Sequence, residues 1–362
     1  MIENALVHDD LEYILKNFEE KKALQDSTVL LTGCAGFLGF YFLHFFCHYS
    51  QLLGIKSIIG IDNFKLGKPP WLTQLLRDYP QKLQVHSFNV AQDDLSLLNG
   101  LSDVSFIIHM ASIASPTFYR KYPLETIDAN IWGLRKLFEF FKNRKIQNFL
   151  FFSSSEIYGD PDPQNIPTPE DFHGNVSCVG PRACYDESKR FGETLCYVYS
   201  NQYNFPVTIV RPFNNYGPGM KLDDRRVPAD FAKAIFENRD IVIFSDGSPR
   251  RTFCYVADAI VGYLKALVYK KFDYFNIGIG QPEITMQELA QIYINQGRRM
   301  NKYTGTIRFN KPAEKEYLTH NPQRRSPDIS KAKRLLNYHP AIDIEEGVRK
   351  FLTFIQIQKG IT

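Results

Sequence analysis

Tyr185 and Lys189 stand four residues apart in the stretch 180–190, GPRACYDESKR. On a helix that spacing puts both side chains on one face, within reach of one ligand. A solvated surface pair would satisfy the spacing equally. The chemical alternative is a phenol whose pKa is lowered by the adjacent ammonium, so that it works as a general base. A free tyrosine titrates at about pH 10, so work at neutral pH asks for a shift worth about 4 kcal/mol. The stretch itself does not choose between these readings; the elements around it must.

The apolar run Asn148–Phe152 reads as a strand and ends in SSSEIYGD, residues 153–160. The helix carrying Tyr185 and Lys189 comes next in the chain, so a hydroxyl and a carboxylate at one strand end meet the phenol and the ammonium. Ser154, Tyr185 and Lys189 then form a set: a hydroxyl to orient a substrate oxygen, a phenolate to take its proton, an ammonium to hold the phenolate. Beside an oxidised nicotinamide, such a set oxidises an alcohol.

The nicotinamide is called for upstream. The apolar strand Thr28–Thr32 runs into GCAGFLG, residues 33–39, and a helical pattern through Phe37, Phe40, Tyr41, His44 and Phe45 starts at once. Gly33, Gly36 and Gly39 let the backbone turn tightly and approach a pyrophosphate at a helix N-terminus. A second strand, 57–61, ends at Asp62, where a ribose-binding carboxylate belongs, about 20 residues beyond the glycines. An acid there repels a 2′-phosphate and favours NAD(H) over NADP(H). Further strands over 83–88, 104–109 and 207–211, with helices over 123–143 and 183–203, predict an α/β fold, a Rossmann-type doubly wound parallel sheet.

Of the 362 residues 44% are hydrophobic and the net charge is +4, which describes a globular chain without a basic block for nucleic acid. The scattered doublets Arg225-Arg226, Arg250-Arg251 and Arg324-Arg325 suit small anions better. The stretch 1–26 carries Asp9, Asp10, Glu12, Glu19 and Glu20 and lacks the apolar core of a secretory signal. No run of about 18 apolar residues offers a membrane span. Leu11, Ile14 and Phe18 predict an amphipathic helix over 8–24, docked on the body. The six cysteines form no Cys-x-x-Cys pair and share no metal-ligand spacing with the eight histidines. Reduced thiols in the cytoplasm, and no metal site, are the expectation.

Several ordered motifs together resemble the extended short-chain dehydrogenase/reductase family of nucleotide-sugar enzymes: 33–39, Asp62-Asn63-Phe64, His109-Met-Ala-Ser112, 153–159, Tyr185–Lys189 and RPFNNYGP, 211–218. Within it GPRACYDESKR, ASIASP (111–116) and NPQRRSPDISKAK (321–333) are most similar to the UDP-glucuronate decarboxylase branch. The resemblance implies catalytic roles for Ser154, Ser155, Glu156, Tyr185 and Lys189. It assigns Gly33, Gly36, Phe37, Leu38, Gly39, Asp62, Asn63, Phe64, Asn89, Val90, Met110, Ala111, Ser112, Asn130 and Pro212, beside Tyr185 and Lys189, to NAD. Ser115, Pro116, Glu156, Asn214, Lys221, Arg226, Arg251 and Arg325 fall where the family meets the sugar nucleotide, which the resemblance to that branch implies is UDP-linked. The chain departs from the pattern at Ser188 (for Gly), Ser154 (for Thr), Asn89 (for an Asp that accepts the adenine amino group) and between Phe118 and Tyr122.

Three reactions share a first step, in which Tyr185 removes the sugar 4-OH proton while C4 passes hydride to NAD. A 4-ketone makes a C6 carboxylate β to a carbonyl, so that CO2 can leave with its electrons collected on the enolate oxygen. A 4,6-dehydratase instead needs an acid for the departing 6-hydroxyl, and Ser155 stands where that acid belongs. A 4-epimerase needs no carboxylate at Glu156. Decarboxylation of a UDP-uronic acid is favoured; dehydration, epimerisation and a non-catalytic NAD-binding sensor or scaffold stay open. The layout implied is an N-terminal helical extension (1–26), an NAD-binding domain (27–215, with a return segment 247–279) and a smaller discontinuous nucleotide-sugar-binding domain (216–246 and 280–362). The Pro-rich loop 161–181 is predicted to overhang the crevice, and PDIS, 327–330, to open a capped helix whose positive charges meet the substrate pyrophosphate. Trp132, Leu137, Phe138, Leu195, Tyr197 and Tyr199 carry more apolar surface than one sheet face hides, and similar family members pair these helices into a homodimer.

Overall fold

The computed structural model describes residues 4–311 and 319–360; residues 1–3, 312–318 and 361–362 of the expected units lie outside the described residues. Seven strands make one all-parallel sheet: β1 (Thr28–Thr32), β2 (Ser57–Asp62), β3 (Leu83–Ser87), β4 (Phe106–His109), β5 (Asn148–Phe152), β6 (Val207–Pro212) and β7 (Asp273–Ile277). Their order is β7-β6-β5-β4-β1-β2-β3. Every residue of β1 and β5 is buried, as unbroken apolar runs require when helices cover both faces of a parallel sheet. The order reverses between β1 and β4, so their carboxyl ends flank the crevice where ligands of such sheets bind. β7, absent from the strands read off the sequence, comes from the return segment 247–279.

Local chemistry adjusts several boundaries. β4 starts at Phe106, because a short turn, Leu101–Asp103, precedes it. The helix expected over 123–143 is interrupted: Pro123–Ile127 widens into a π turn, Asp128–Gly133, before Leu134–Phe141 resumes. Gly133 permits this, since a Cβ there would lie 2.6 Å from Val90 Cγ2. The turn brings Asn130 fully inside.

The N-terminal helix spans Ala5–Asn17, earlier than the 8–24 expected, because the Asn4 side chain caps it and the chain turns away at Phe18. Leu11, Ile14 and Phe18 are fully buried. They cover the helix Phe37–His48, whose nearly all-apolar sequence FLGFYFLHFFCH needs burial on more than one side. The Asp10 carboxylate seals this contact by accepting from Tyr41 Oη (2.6 Å), Tyr255 Oη (2.6 Å) and Lys350 Nζ (2.7 Å).

Three other expectations need correction. The loop 161–181 supplies no wall of the crevice. It is tied instead to the far end of the chain, with Thr168 N donating to Ser326 O and Asp328 N to Thr168 O. The helix Ser330–Leu336 does start where predicted, with Asp328 Oδ1 accepting from Ser330 N. Its Lys331 is engaged by Asp273 and the Tyr274 carbonyl, away from the crevice. Of the apolar side chains assigned to a subunit contact, Leu137, Phe138 and Tyr199 are buried within the chain, Phe138 stacking on Tyr199 at 4.6 Å. Trp132 and Tyr197 remain about half exposed, at 52% and 56%. No helix among the described residues is long and apolar enough to cross a membrane.

If the N-terminal helix is part of the core, Ile14→Ala should lower the unfolding free energy by about 2–5 kcal/mol, the usual cost of a large-to-small change at a fully buried site. Urea denaturation measures this. A loss below about 0.5 kcal/mol, typical of a surface position, would mean the helix is only peripherally attached.

Candidate active site

The ends of β1, β4 and β5, the helix Ala183–Tyr203 and the segments after β6 enclose a crevice of about 480 Å³, within the range of small-ligand sites. Phe37, Leu38, Met110, Ser112 and Pro212 line one end. Here Gly33 sits at φ 69°, and a Cβ would meet the Ala111 backbone at 2.8 Å; only glycine lets the β1 turn pass so close to β4. Gly39 packs its helix against the Cys34 carbonyl, which a Cβ would meet at 2.2 Å. No side chain caps the Phe37–His48 helix, so its first N–H groups are left for an anion.

Asp62 closes β2. Its Oδ2 accepts from Ala35 N (3.0 Å) and its Oδ1 from Phe64 N (2.8 Å), tying the glycine turn to the next loop. Burial raises its pKa, against these two hydrogen bonds and the Lys221 charge. Asn89 Oδ1 accepts from Ala91 N at 3.0 Å and keeps a second lone pair; Val90 lies behind it, in the apolar cluster that Gly133 approaches. Asn63 Oδ1 accepts from Lys65 N. Ala111 N donates to Thr32 Oγ1 at 3.1 Å, and the buried Ser112 Oγ has no partner within the protein. A glycine turn, a bare helix N-terminus, a strand-end acid and an unpartnered hydroxyl fit a dinucleotide.

Ser154 stands at the β5 exit. Its Oγ accepts from Glu156 N at 3.2 Å and shares a hydrogen bond with Tyr185. Tyr185 differs from the expectation of a lowered pKa: burial pushes its phenol up to about 12, reinforced by Glu156 and Asp186 and opposed by Ser154 and Arg226. Lys189 donates to Phe152 O at 2.7 Å, with Nζ 5.8 Å from the Tyr185 ring centroid, and burial pushes its pKa down to about 7. Desolvation is the largest influence on the Tyr185 phenol. Asn130 Nδ2 donates to Ser188 Oγ at 2.8 Å, and Ser188 Oγ to Tyr185 O at 3.0 Å. The serine that departs from the family's glycine thus links the π turn to the Tyr185 helix.

Beyond Tyr185 the crevice becomes cationic. Glu156 is clamped between Arg325, whose Nη1 donates to Oε1 at 2.6 Å, and Arg182. Burial would raise the Glu156 carboxyl, but the two guanidiniums hold it below the usual carboxylate range. Arg182 Nε also reaches Asp186 Oδ2 at 3.3 Å. Arg251 donates to Pro322 O (2.5 Å), Gln323 O and Arg250 O. Burial, with Arg325 and Arg182 nearby, pushes its pKa down to about 9. Among the described charges, the cationic groups here outnumber the carboxylates.

Of the substrate residues predicted, Pro116, Glu156, Asn214, Arg226, Arg251 and Arg325 line the crevice, as does Ser155. Two do not. Ser115 Oγ is turned to Asp224 O at 2.5 Å, and Lys221 Nζ donates to Leu66 O at 2.8 Å. Arg226 pairs with Asp224 and lies 5.7 Å over the Phe37 ring, at the bare helix N-terminus. Arg182 was missed, although its place three residues before Tyr185 already put it on the same helix face. Tyr119 was missed too: it stacks on Tyr185 at 5.1 Å and 11°, with its buried hydroxyl unpartnered. No local spacing signals that contact.

Residues 29–278 match the NAD dependent epimerase/dehydratase family. The chain is 34% identical over 326 residues to UDP-glucuronic acid decarboxylase 1 of Arabidopsis thaliana, covering 90% of this chain and 69% of that one. It is 32% identical to UDP-glucuronic acid decarboxylase 1 of Danio rerio, over 90% of this chain and 72% of that one. Among solved structures, UDP-glucuronic acid 4-epimerase of Bacillus cereus, in complex with UDP-glucuronic acid and NAD, superposes with a TM-score of 0.73 at 27% identity, covering 91% of this chain and 99% of that one. The dTDP-glucose 4,6-dehydratase of Streptomyces venezuelae shares the fold at a TM-score of 0.78 and 20% identity, covering 92% and 98%. With more than half its length inside the family match and relatives above 30% identity along nine-tenths of it, the chain belongs to the NAD dependent epimerase/dehydratase family, and NAD is the dinucleotide its crevice takes.

Proposed function

We propose that this protein decarboxylates a UDP-linked uronic acid, of the UDP-glucuronate type, through a 4-keto intermediate. The observation that carries the reading is the Arg182–Glu156–Arg325 cluster beside Ser154 and Tyr185. A sugar whose 4-OH meets Ser154 and Tyr185 places its C6 substituent next to buried guanidiniums, which favour a carboxylate over a neutral hydroxymethyl group. The sequence relatives named as UDP-glucuronic acid decarboxylases support the same substrate class.

In this reading Ser154 orients the C4 oxygen and Tyr185 takes its proton. NAD, when bound, supplies the hydride acceptor at C4, its return donor, and a positive charge that favours the phenolate. Loss of CO2 breaks the C5–C6 bond and leaves the electron pair on the C4 enolate oxygen, which Tyr185 and Ser154 hold by hydrogen bonding. A proton from solvent water then adds at C5, and Tyr185 returns its proton to the C4 oxygen as hydride comes back, so the cycle is redox-neutral. Glu156, held ionised and occupied on both oxygens, acts by setting the two guanidiniums rather than as the acid. Ser155 is too weak an acid to expel a 6-hydroxyl, which sets dehydration aside.

Gly33, Gly36, Asp62 and Asn89 are assigned to NAD, and Asn214, Arg251 and Arg325 to the sugar nucleotide. The segments 216–246 and 280–362 form the nucleotide-sugar lobe around a NAD-binding core of 27–215 and 247–279. The protein works as a homodimer through the exposed face of Trp132, Phe191 and Tyr197, and in the cytoplasm, where its six free cysteines stay reduced.

Tyr185→Phe should lower turnover by about 10²–10⁴ while NAD still binds, since one buried acid–base hydroxyl is removed. More than a tenth of the wild-type rate would refute the assignment. Given UDP-glucuronate, the wild type should release CO2 and yield a UDP-pentose by mass spectrometry. A UDP-uronic acid inverted at C4 without CO2 would make it an epimerase instead, and water loss from a neutral nucleotide hexose a dehydratase. Glu156→Gln should still reduce the bound NAD, seen in the nicotinamide absorbance band, while CO2 release slows. Equal slowing of both steps would show that Glu156 serves the oxidation.

A further inference from the structure

Lys221 has no part in the crevice where the sugar nucleotide is placed, and its actual setting gives it another task. Directly after Asp62 the chain makes a loop, 63–68, with two left-handed residues, Phe64 (φ 52°) and Gly67 (φ 84°), and a bond from Gly67 N to Phe64 O at 2.8 Å. Two lysines tie this loop to distant parts of the chain. Lys65 Nζ donates to Glu125 Oε1 at 3.0 Å and lies 4.6 Å over the Tyr122 ring. Lys221 Nζ donates to Leu66 O at 2.8 Å from 155 residues away, out of the segment that follows β6.

The base of that segment is firmly placed. Met220 is buried, and a Cβ on Gly219 would meet Phe40 at 2.8 Å, so the chain lies against the Phe37–His48 helix. Lys221 therefore reaches from a fixed point, across the side of the crevice where β2 ends, to the loop beyond it. Its charge partly offsets the burial that raises the Asp62 carboxyl.

We propose that Lys221 is a cofactor-retention residue, which with Lys65 straps the loop 63–68 across the adenosine-ribose end of the dinucleotide site. The inference rests on NAD as the dinucleotide and on Asp62 as its ribose acid. The proposed cycle supplies the need: hydride taken from C4 must return to the same sugar, so a cofactor lost in mid-cycle would strand a keto sugar. An ammonium suits the place because it can hold a backbone carbonyl and keep donors for the ribose edge. The strap adds no group to the chemistry at C4; it lengthens the stay of the cofactor.

The test is the dissociation of NAD from holoenzyme, followed by trapping released NAD with an excess of an NAD-consuming enzyme. The wild type, Lys221→Met, Lys221→Arg and Lys65→Met are compared, and the KM for the nucleotide sugar is measured on each. Dissociation should quicken roughly two- to fivefold in Lys221→Met, the worth of one exposed charged contact, should quicken also in Lys65→Met, and should return toward wild type in Lys221→Arg. NAD dissociation equal to wild type in Lys221→Met would overturn the proposal, whether or not the KM for the nucleotide sugar rises. Heat-denatured wild type that yields no NAD would instead remove the cofactor reading on which the strap depends.

Discussion

The structure turns on one buried ionic contact, the Glu156 carboxylate between Arg182 and Arg325. It joins three pieces of chain that are apart in sequence: the exit of β5, the start of the Ala183–Tyr203 helix and a strand-like stretch near the C-terminus. A carboxylate this deeply buried would be neutral if alone; two guanidiniums keep it charged. The cost of enclosing three charges is offset only if all stay paired, so each residue constrains the others. Asp186 takes Arg182 Nε, and burial and Glu156 raise its own carboxyl. The cluster thus carries more cation than anion, and an anionic substrate can share the guanidiniums.

The same burial that sharpens this cluster works against Tyr185. Taken out of water, and facing Glu156 and Asp186, its phenol is pushed above the usual tyrosine range. Ser154 and Arg226 oppose that trend, and Lys189 donates to the Phe152 carbonyl.

Local signals made much of this legible in the sequence. Strand, glycine turn, helix and strand-end acid are contiguous, and each is demanded by backbone geometry: Gly33 by its left-handed φ, Gly39 by the nearness of Cys34. The Tyr185–Lys189 pair follows from helical spacing. What failed was read from spacing alone and decided by three-dimensional packing. Leu137, Phe138 and Tyr199 looked like surplus apolar surface, but they satisfy one another inside the chain. The π turn at Asp128–Gly133 leaves no periodic trace, because one wide turn shifts the pattern without erasing it. Loop 161–181 was placed by its prolines over the crevice, whereas its backbone hydrogen bonds run to residues 326 and 328.

Lys221 and Arg325 show why distance in sequence matters more than residue type. Both are cations in polar stretches of the second half, and motif position assigned both to the sugar nucleotide. Arg325 arrives at Glu156 across 169 residues, and Lys221 reaches Leu66 across 155. The first crosses into the chemical end of the crevice and the second to the ribose-acid side, because the segment after β6 is pinned against the Phe37–His48 helix while the C-terminal stretch pairs with residues 250–251. Two cations of like chemistry thus end in different surroundings because different segments of chain carry them.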